Sequence, residues 1–178
     1  MMLTLAEIRK QAEGLAFDVT LDLNDVLKKR NADIISVDDI HAVGLASYDD
    51  GLYLLHYQLT YRITLPSSRS MQPVTLAEKE VVDEVFVETS HLVSKKDLIE
   101  QNLALVLEGD SIDLKESVAD NILLSIPLSV LTEEEIAGEG LPSGKDWTVM
   151  TEEQYASLQA EKQKEANPFS ALDGLFED

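Results

Sequence analysis

Residues Ser111–Leu131 read SIDLKESVADNILLSIPLSVL, and this stretch decides the fold. Leu114, Val118 and Ile122 recur at intervals of four residues, which is typical of an apolar stripe along one face of an α-helix. A helix with such a stripe is stable only when another element covers it. We therefore expect this helix to fill the core, packed against strands from the rest of the chain.

The ends of this helix can also be read from the sequence. Ser111 or Asp113 can cap its start, because a short oxygen side chain accepts hydrogen bonds from unpaired backbone N–H groups. Pro127 lacks an N–H and disfavours helical backbone at the residue before it. The predicted helix therefore covers Ser111–Ile126.

The strands predicted to pack on the helix precede it in the chain. Within Leu52–Leu65, an apolar residue occupies every second position from Tyr53 to Leu65, and polar residues lie between them from His56 to Thr64, which is typical of a central strand with one buried face. An Asp49-Asp50-Gly51 turn joins it to Asp39–Tyr48, because Asp-Gly tolerates the positive φ values of a hairpin turn. Leu15–Leu21 alternates in the same way.

Tyrosines occupy three positions on the apolar face of the long strand: Tyr53, Tyr57 and Tyr61. Such a stripe is predicted to be core, with the hydroxyl groups reaching towards the sheet edge. The alternative is a ligand-binding face inside a barrel.

Together these patterns predict an α+β protein. We expect an antiparallel sheet of about five strands, which could close into a barrel-like form, with helices packed on it. The predicted divisions are an α+β core domain at 1–131, an acidic loop with a Gly-Lys-Asp-Trp return at 132–150, and a charged helix with an acidic, partly disordered arm at 151–178.

Composition limits the function. The formal net charge is -20, which opposes direct binding to nucleic acid because phosphate contacts need clustered Lys and Arg. The chain has no cysteine, so disulfides and thiolate metal sites are excluded. Neither a long apolar run nor a signal peptide stands out. A cytoplasmic protein of bacterial type, away from the membrane, is expected.

No catalytic or metal-binding constellation stands out. His41 and His56 lie on the two arms of the predicted hairpin and could be close enough to share a metal, but no third ligand is evident. Carboxylate pairs such as Asp83/Glu84 are frequent in so acidic a chain and do not by themselves indicate acid–base catalysis. The expectation is a protein without enzymatic activity, metal or cofactor.

Trp147 is the only tryptophan and follows Gly144-Lys145-Asp146. It could anchor the loop onto the core, or it could be an exposed anchor for a partner, since Trp is frequent among residues that dominate binding energy. Both readings stay open from sequence.

The chain resembles the YceD-type family, the large ribosomal RNA subunit accumulation proteins. The resemblance rests on short motifs in a fixed order, which are Leu65–Ser70, Asp113-Leu114, Asn121–Leu128, Gly144–Trp147 and the tail Asn167-Pro168-Phe169 with Leu172 and Leu175. Two departures are present. Serines occupy the 67–70 turn where many relatives carry cysteines, so a metal or redox role of that turn does not carry over, and a basic residue is missing after Pro168.

The resemblance implies a non-enzymatic role in accumulation or processing of large-subunit rRNA. Given the charge, the expected partner is a basic ribosomal protein or an rRNA-processing factor, and naked RNA is not expected to bind. The predicted partner contacts are Arg69, Lys145, Asp146, Trp147, Phe169 and Leu172. The alternative is a small-molecule-binding or enzymatic β-barrel that uses the Tyr53/Tyr57/Tyr61 face.

Overall fold

A five-stranded sheet forms the centre of the first of two units in the computed structural model. The units are Met1–Val130 and Leu131–Asp178. The structure describes residues 1–101, 103–107, 109–138, 143–144 and 147–165, and only the backbone of 143–144, 147 and 160–165. The strands of the first unit are β1 (Met2–Thr4), β2 (Leu15–Leu21), β3 (Ser36–Asp49), β4 (Leu52–Pro66), β5 (Pro73–Glu88), β6 (Leu105–Leu107) and β7 (Ser111–Asp113).

The sheet has the order β2-β3-β4-β5-β6, with β2 and β6 at its edges. β2, β3, β4 and β5 pair antiparallel, and β6 pairs parallel to β5. The α+β class and the five strands predicted from sequence are confirmed. The barrel-like form is wrong, because the two edge strands do not pair with each other and the sheet stays open.

The β3–β4 hairpin has the predicted turn. Asp49 pairs with Leu52, and Asp50 and Gly51 between them have φ values of 42° and 85°. Positive φ at both central residues defines the turn type that matches the twist of the two strands. The observed strands are longer than Asp39–Tyr48 and Leu52–Leu65, with a bulge between Asp38 and His41.

Helices cover the tyrosine-bearing face of the sheet. The helical elements of the first unit are α1 (Leu5–Lys10), α2 (Asn24–Arg30), a 3-10 turn (Thr89–His91), α3 (Lys96–Glu100) and α4 (Leu114–Leu124). Of these, α1, α2 and α4 contribute buried residues to the core, whereas the 3-10 turn and α3 contribute none. Leu114, Val118 and Ile122 of α4 are fully buried and belong to the same apolar cluster as Tyr57 and Leu59 of β4. The predicted packing of helix on sheet is therefore confirmed.

The helix is shorter than the predicted Ser111–Ile126. The Asp113 side chain caps it by accepting a hydrogen bond from Lys115 N, and Ser125 closes its end with a hydrogen bond from Ser125 N to Asn121 O. Ser111–Asp113 forms β7 instead, which pairs antiparallel with β1. That partner lies at the other end of the unit's sequence, so helical periodicity around Leu114 could not reveal it.

The second unit is described by itself. It contains α5 (Glu133–Ile136), β8 (Ser143–Gly144), β9 (Trp147–Thr148) and α6 (Glu152–Glu165). α5 lies in a stretch predicted to be loop, and it forms because Thr132 and Glu135 make a reciprocal capping box. Thr151 and Gln154 form the same kind of box at the start of α6, since they exchange side-chain and backbone hydrogen bonds.

Truncating one core leucine of α4 should destabilise the protein far more than truncating an exposed one. Leu114 is 0% exposed and Leu124 is 83% exposed. Leu114→Ala should lower the free energy of unfolding by about 2–5 kcal/mol because it leaves a cavity. Leu124→Ala should change it by less than about 0.5 kcal/mol. Urea denaturation of both variants checks this, and equal losses would contradict the assigned packing.

Candidate partner-binding surface

Two segments that carry the family resemblance meet on the surface of the first unit. One is the loop 67–72 between β4 and β5, and the other is the segment 125–130 after α4. Ser68 N donates a hydrogen bond to Val130 O at 2.7 Å, and Val130 N donates one to Ser68 Oγ at 3.0 Å. These two bonds fix the end of the helical segment against the loop.

Ser67 organises the loop from inside. Its side chain is fully buried, and its Oγ accepts hydrogen bonds from Arg69 N at 3.1 Å and Ser70 N at 3.2 Å. Its backbone N donates to Gln72 O at 2.7 Å, which closes the loop. A hydroxyl that holds two successive N–H groups mimics a backbone turn. The result is a rigid turn that presents Arg69 on its exposed side.

An apolar groove lies where the loop and the segment meet, and we call it the loop groove. Its lining residues are Asp33, Leu65, Pro66, Ser67, Ser68, Met71, Ile126, Pro127, Leu128 and Val130. Met71 is 71% exposed and Leu128 is fully exposed. Clustered exposed apolar side chains beside polar ones are typical of protein-binding surfaces. The loop groove can therefore bury apolar side chains of a partner.

Only one predicted contact residue has a described side chain. Arg69 lies in the loop that forms one wall of the loop groove. Trp147 lies in β9, where its backbone pairs with Gly144, and its side chain is outside the described part. The remaining predicted contacts, Lys145, Asp146, Phe169 and Leu172, lie outside the described residues. The structure therefore neither joins nor separates them from Arg69.

Sequence reasoning missed Met71, Pro127 and Leu128 as surface residues. The sequence pattern predicts a helix end at Ile126-Pro127 and gives no signal for Met71. One signal for Leu128 is present in the sequence: apolar residues continue beyond Pro127, which stops the helix. Residues after the helix end no longer lie on its buried face, so they can be exposed.

The tyrosine face is packed core. Tyr53, Tyr57 and Tyr61 are 0%, 0% and 3% exposed. Their hydroxyl groups are bonded to Glu88 at 3.0 Å, to Ser117 at 2.8 Å and to Glu80 at 2.6 Å. This confirms that the stripe is core. The alternative of an open tyrosine-lined cavity inside a barrel is wrong.

Burial sets the acidity of these phenols. Desolvation, followed by the hydrogen bond to the Glu88 carboxylate, raises the pKa of Tyr53 from 10.0 to about 12. Desolvation raises the pKa of Tyr57 and that of Tyr61 further, and the bond to Glu80 adds to the effect at Tyr61. Tyr57 and Tyr61 therefore stay neutral at neutral pH.

Carboxylates of β5 share the tyrosine face and bind polar residues of α4. Glu84 accepts hydrogen bonds from Ser117 Oγ and Asn121 Nδ2, both at 2.7 Å. Glu80 accepts one from Ser125 Oγ at 2.5 Å. The donors recur every four residues, so they form one polar row beside the apolar stripe. The hydrogen bonds of this row connect the helical segment to β5, and in each bond the Glu80 or Glu84 carboxylate accepts from an uncharged side chain.

The two hairpin histidines are not neighbours. His41 pairs with Thr60 and His56 pairs with Leu45, so they are offset by four residues along the strands, about 13 Å. His41 bonds Asp18 on β2, and His56 bonds Asp83 on β5. The expectation that they could share a metal is therefore wrong. Among the described residues no His, Asp and Glu cluster could hold a metal ion.

The fold and the loop groove define an acidic α+β protein with an open, mostly antiparallel sheet. A family model described as "Large ribosomal RNA subunit accumulation protein YceD" matches residues 55–176, and the chain belongs to this family. That match includes both walls of the loop groove except Asp33. It confirms the resemblance inferred from sequence.

The chain is also similar to a curated bacterial protein. It is 30% identical over 142 residues to the "Uncharacterized protein YlbN" of Bacillus subtilis (strain 168), covering 79% of each chain. No solved structure matches. Within the described residues, no helix has the length and apolar character needed to cross a membrane.

Removing the Ser67 hydroxyl should loosen the loop. Ser67→Ala leaves Arg69 N and Ser70 N without the acceptor they now share, so the free energy of unfolding should fall by about 1–3 kcal/mol. Amide exchange of Arg69 and Ser70 should become faster. Ser129→Ala removes an exposed hydroxyl nearby and should change neither quantity. Unaltered exchange in Ser67→Ala would contradict the assigned role.

The raised pKa of Tyr53 should make the fold sensitive to alkali. Because the neutral phenol is favoured in the folded state, its contribution to stability is complete below pH 10.0 and is lost as the pH rises towards about 12. Tyr53→Phe removes this titrating group, so its stability should decline less steeply than that of the wild type in this range. Urea denaturation at a series of pH values checks this, and parallel declines would contradict it.

Proposed function

We propose that this protein supports the accumulation or processing of large-subunit rRNA without catalysis, by binding a basic ribosomal protein or rRNA-processing factor. The observation that carries the proposal is the family match over residues 55–176, whose description names large ribosomal RNA accumulation. The matched region contains the loop 67–72 and the segment 125–130 that together form most of the loop groove.

The charge supports a protein partner over RNA. With 14 Lys and Arg against 34 Asp and Glu, the net charge is -20. A surface of this sign repels phosphates and accelerates the approach of a basic protein. Attraction of this kind raises the association rate, whereas lasting affinity needs apolar anchors.

The loop groove supplies such anchors. Met71 and Leu128 expose apolar surface beside Arg69, on a loop that buried hydrogen bonds of Ser67 hold rigid. A rigid apolar surface loses little conformational entropy on binding. We assign Arg69 and the groove to the partner interface, and we keep as proposed contacts Lys145, Asp146, Trp147, Phe169 and Leu172.

Affinity capture of the tagged full chain from cells, with proteins and RNA identified together, tests this function. We expect a basic ribosomal or processing protein that is released as the salt concentration rises, and a fall in large-subunit rRNA when the protein is depleted. Tight, salt-sensitive binding to naked rRNA without any ribosomal protein would reject the mechanism.

Charged substitutions in the loop groove should distinguish binding at the groove from attraction of the partner to the net negative charge. Met71→Asp with Leu128→Asp should abolish capture of the partner and fail to restore rRNA levels, because both side chains lose their apolar contact. Val93→Asp adds a carboxylate at a position that is 93% exposed outside the loop groove and should behave like the wild type. Full capture by the double variant would exclude the loop groove from the interface.

A further inference from the structure

A second apolar groove lies between α4 and the β5–β6 edge of the sheet, and we call it the edge groove. Its apolar lining includes Met2, Phe86, Leu105, Val106 and Ile112. Leu105 is 54% exposed and Val106 is 42% exposed, although they belong to a strand of the sheet. β6 is the last strand of that sheet, so its outer side is not paired within the sheet. The groove therefore offers apolar surface at an open sheet edge.

Carboxylates surround this apolar floor. Glu84, Asp110, Asp113, Glu116 and Asp120 line the edge groove, and within the described part of the chain no lining residue is Lys or Arg. Arg30, which is not a lining residue, pairs with Glu116 at 2.6 Å and with Asp120 at 2.7 Å. A single cation thus offsets two of the five carboxylates.

Two carboxylates of the edge groove, Glu84 and Asp110, have no ion-pair partner among the described residues, and Asp113 has only the amino group of Met1. Among the described residues, no Lys or Arg lies within ion-pair distance of Glu84, Asp110 or Asp113; the amino group of Met1 is 3.9 Å from Asp113. Their combined negative potential acts beside an apolar floor, where charge interactions are stronger than in bulk water.

Glu84 is the best-positioned of these charges. It is half-buried, and Ser117 Oγ and Asn121 Nδ2 hold one oxygen each at 2.7 Å. Both donors are neutral and both belong to α4, so they orient the carboxylate without cancelling its charge. A cationic side chain entering the groove would meet a preorganised acceptor and would lose little entropy in pairing with it.

We propose that the edge groove binds a Lys/Arg-rich segment of a protein partner, which places a cationic side chain at Glu84 and Asp113 and an apolar side chain on Leu105. Charge complementarity selects this occupant, because a nucleic acid would bring phosphates towards five carboxylates. The partner's class rests on the proposed function, whereas occupation of the groove by a basic segment can be tested by itself.

Titration of the full chain with a short fluorescent peptide of alternating Arg and Leu tests the edge groove. Glu84→Gln with Asp113→Asn removes two charges and keeps the side-chain sizes. The glutamine amide can still accept from Asn121 Nδ2 and can donate to Ser117 Oγ, and asparagine can cap α4. We expect this double variant to bind the peptide about tenfold more weakly. Glu13→Gln with Asp25→Asn removes two exposed charges outside the groove and should stay within about twofold of the wild type. Equal weakening of both double variants would overturn the proposal, because it would show that the peptide responds only to the net charge of the protein and not to the edge groove.

The apolar part of the proposal has its own control. Leu105→Ser should weaken binding of the same peptide, whereas Leu124→Ser, at an exposed position outside the groove, should not. An all-Arg peptide of the same length should be insensitive to Leu105→Ser because it brings no apolar anchor. Labelled single-stranded RNA provides a competing test. If the RNA competes with the peptide for the wild type, and if Glu84→Gln with Asp113→Asn no longer binds the RNA, the choice of a protein partner is overturned.

Failure of this proposal can be told from failure of the proposed function. If the wild type captures a basic ribosomal or processing protein from cells and Glu84→Gln with Asp113→Asn captures it equally well, the edge groove is excluded and the function stands. If the wild type captures no such protein, the function fails, and the peptide titration still decides whether the edge groove binds a basic segment.

Discussion

Burial of one face of β4 against α4 is the constraint on which the first unit depends. Tyr53, Tyr57 and Tyr61 alternate with leucine and isoleucine on that face, and the stripe of Leu114, Val118 and the rest of α4 covers it. Tyrosines bring a hydroxyl group into this core, and each hydroxyl must find a partner. Carboxylates of β5 and polar side chains of α4 lie on the same face and supply these hydrogen-bond partners.

The same constraint positions both grooves. α4 ends at Leu124, shortly before Pro127, and the chain beyond it bonds the loop through Val130 N and Ser68 Oγ and leaves Leu128 exposed. On its other side, the polar row of α4 holds Glu84 at the edge of β5, where the short β6 leaves apolar surface open. The surfaces available to a partner are thus by-products of how the core closes.

Charge then decides what those surfaces can receive. A chain with a net charge of -20 repels nucleic acid, yet its family is described by an effect on large ribosomal RNA. The basic protein partner that we propose would reconcile the two facts. An apolar floor beside carboxylates, as in the edge groove, is suited to a segment rich in Lys and Arg that also carries apolar anchors.

The sequence by itself determined the α+β class, the β3–β4 hairpin, the buried tyrosine stripe and the core helix, because alternation, turn residues and four-residue spacing are local signals. Arg69 could be singled out only through a family motif. Only the tertiary structure decided that Ser111–Asp113 is a strand, that the sheet stays open, and that Glu84 faces α4. Those features depend on pairing between residues far apart in the chain, and no local periodicity encodes which distant segment will be the partner.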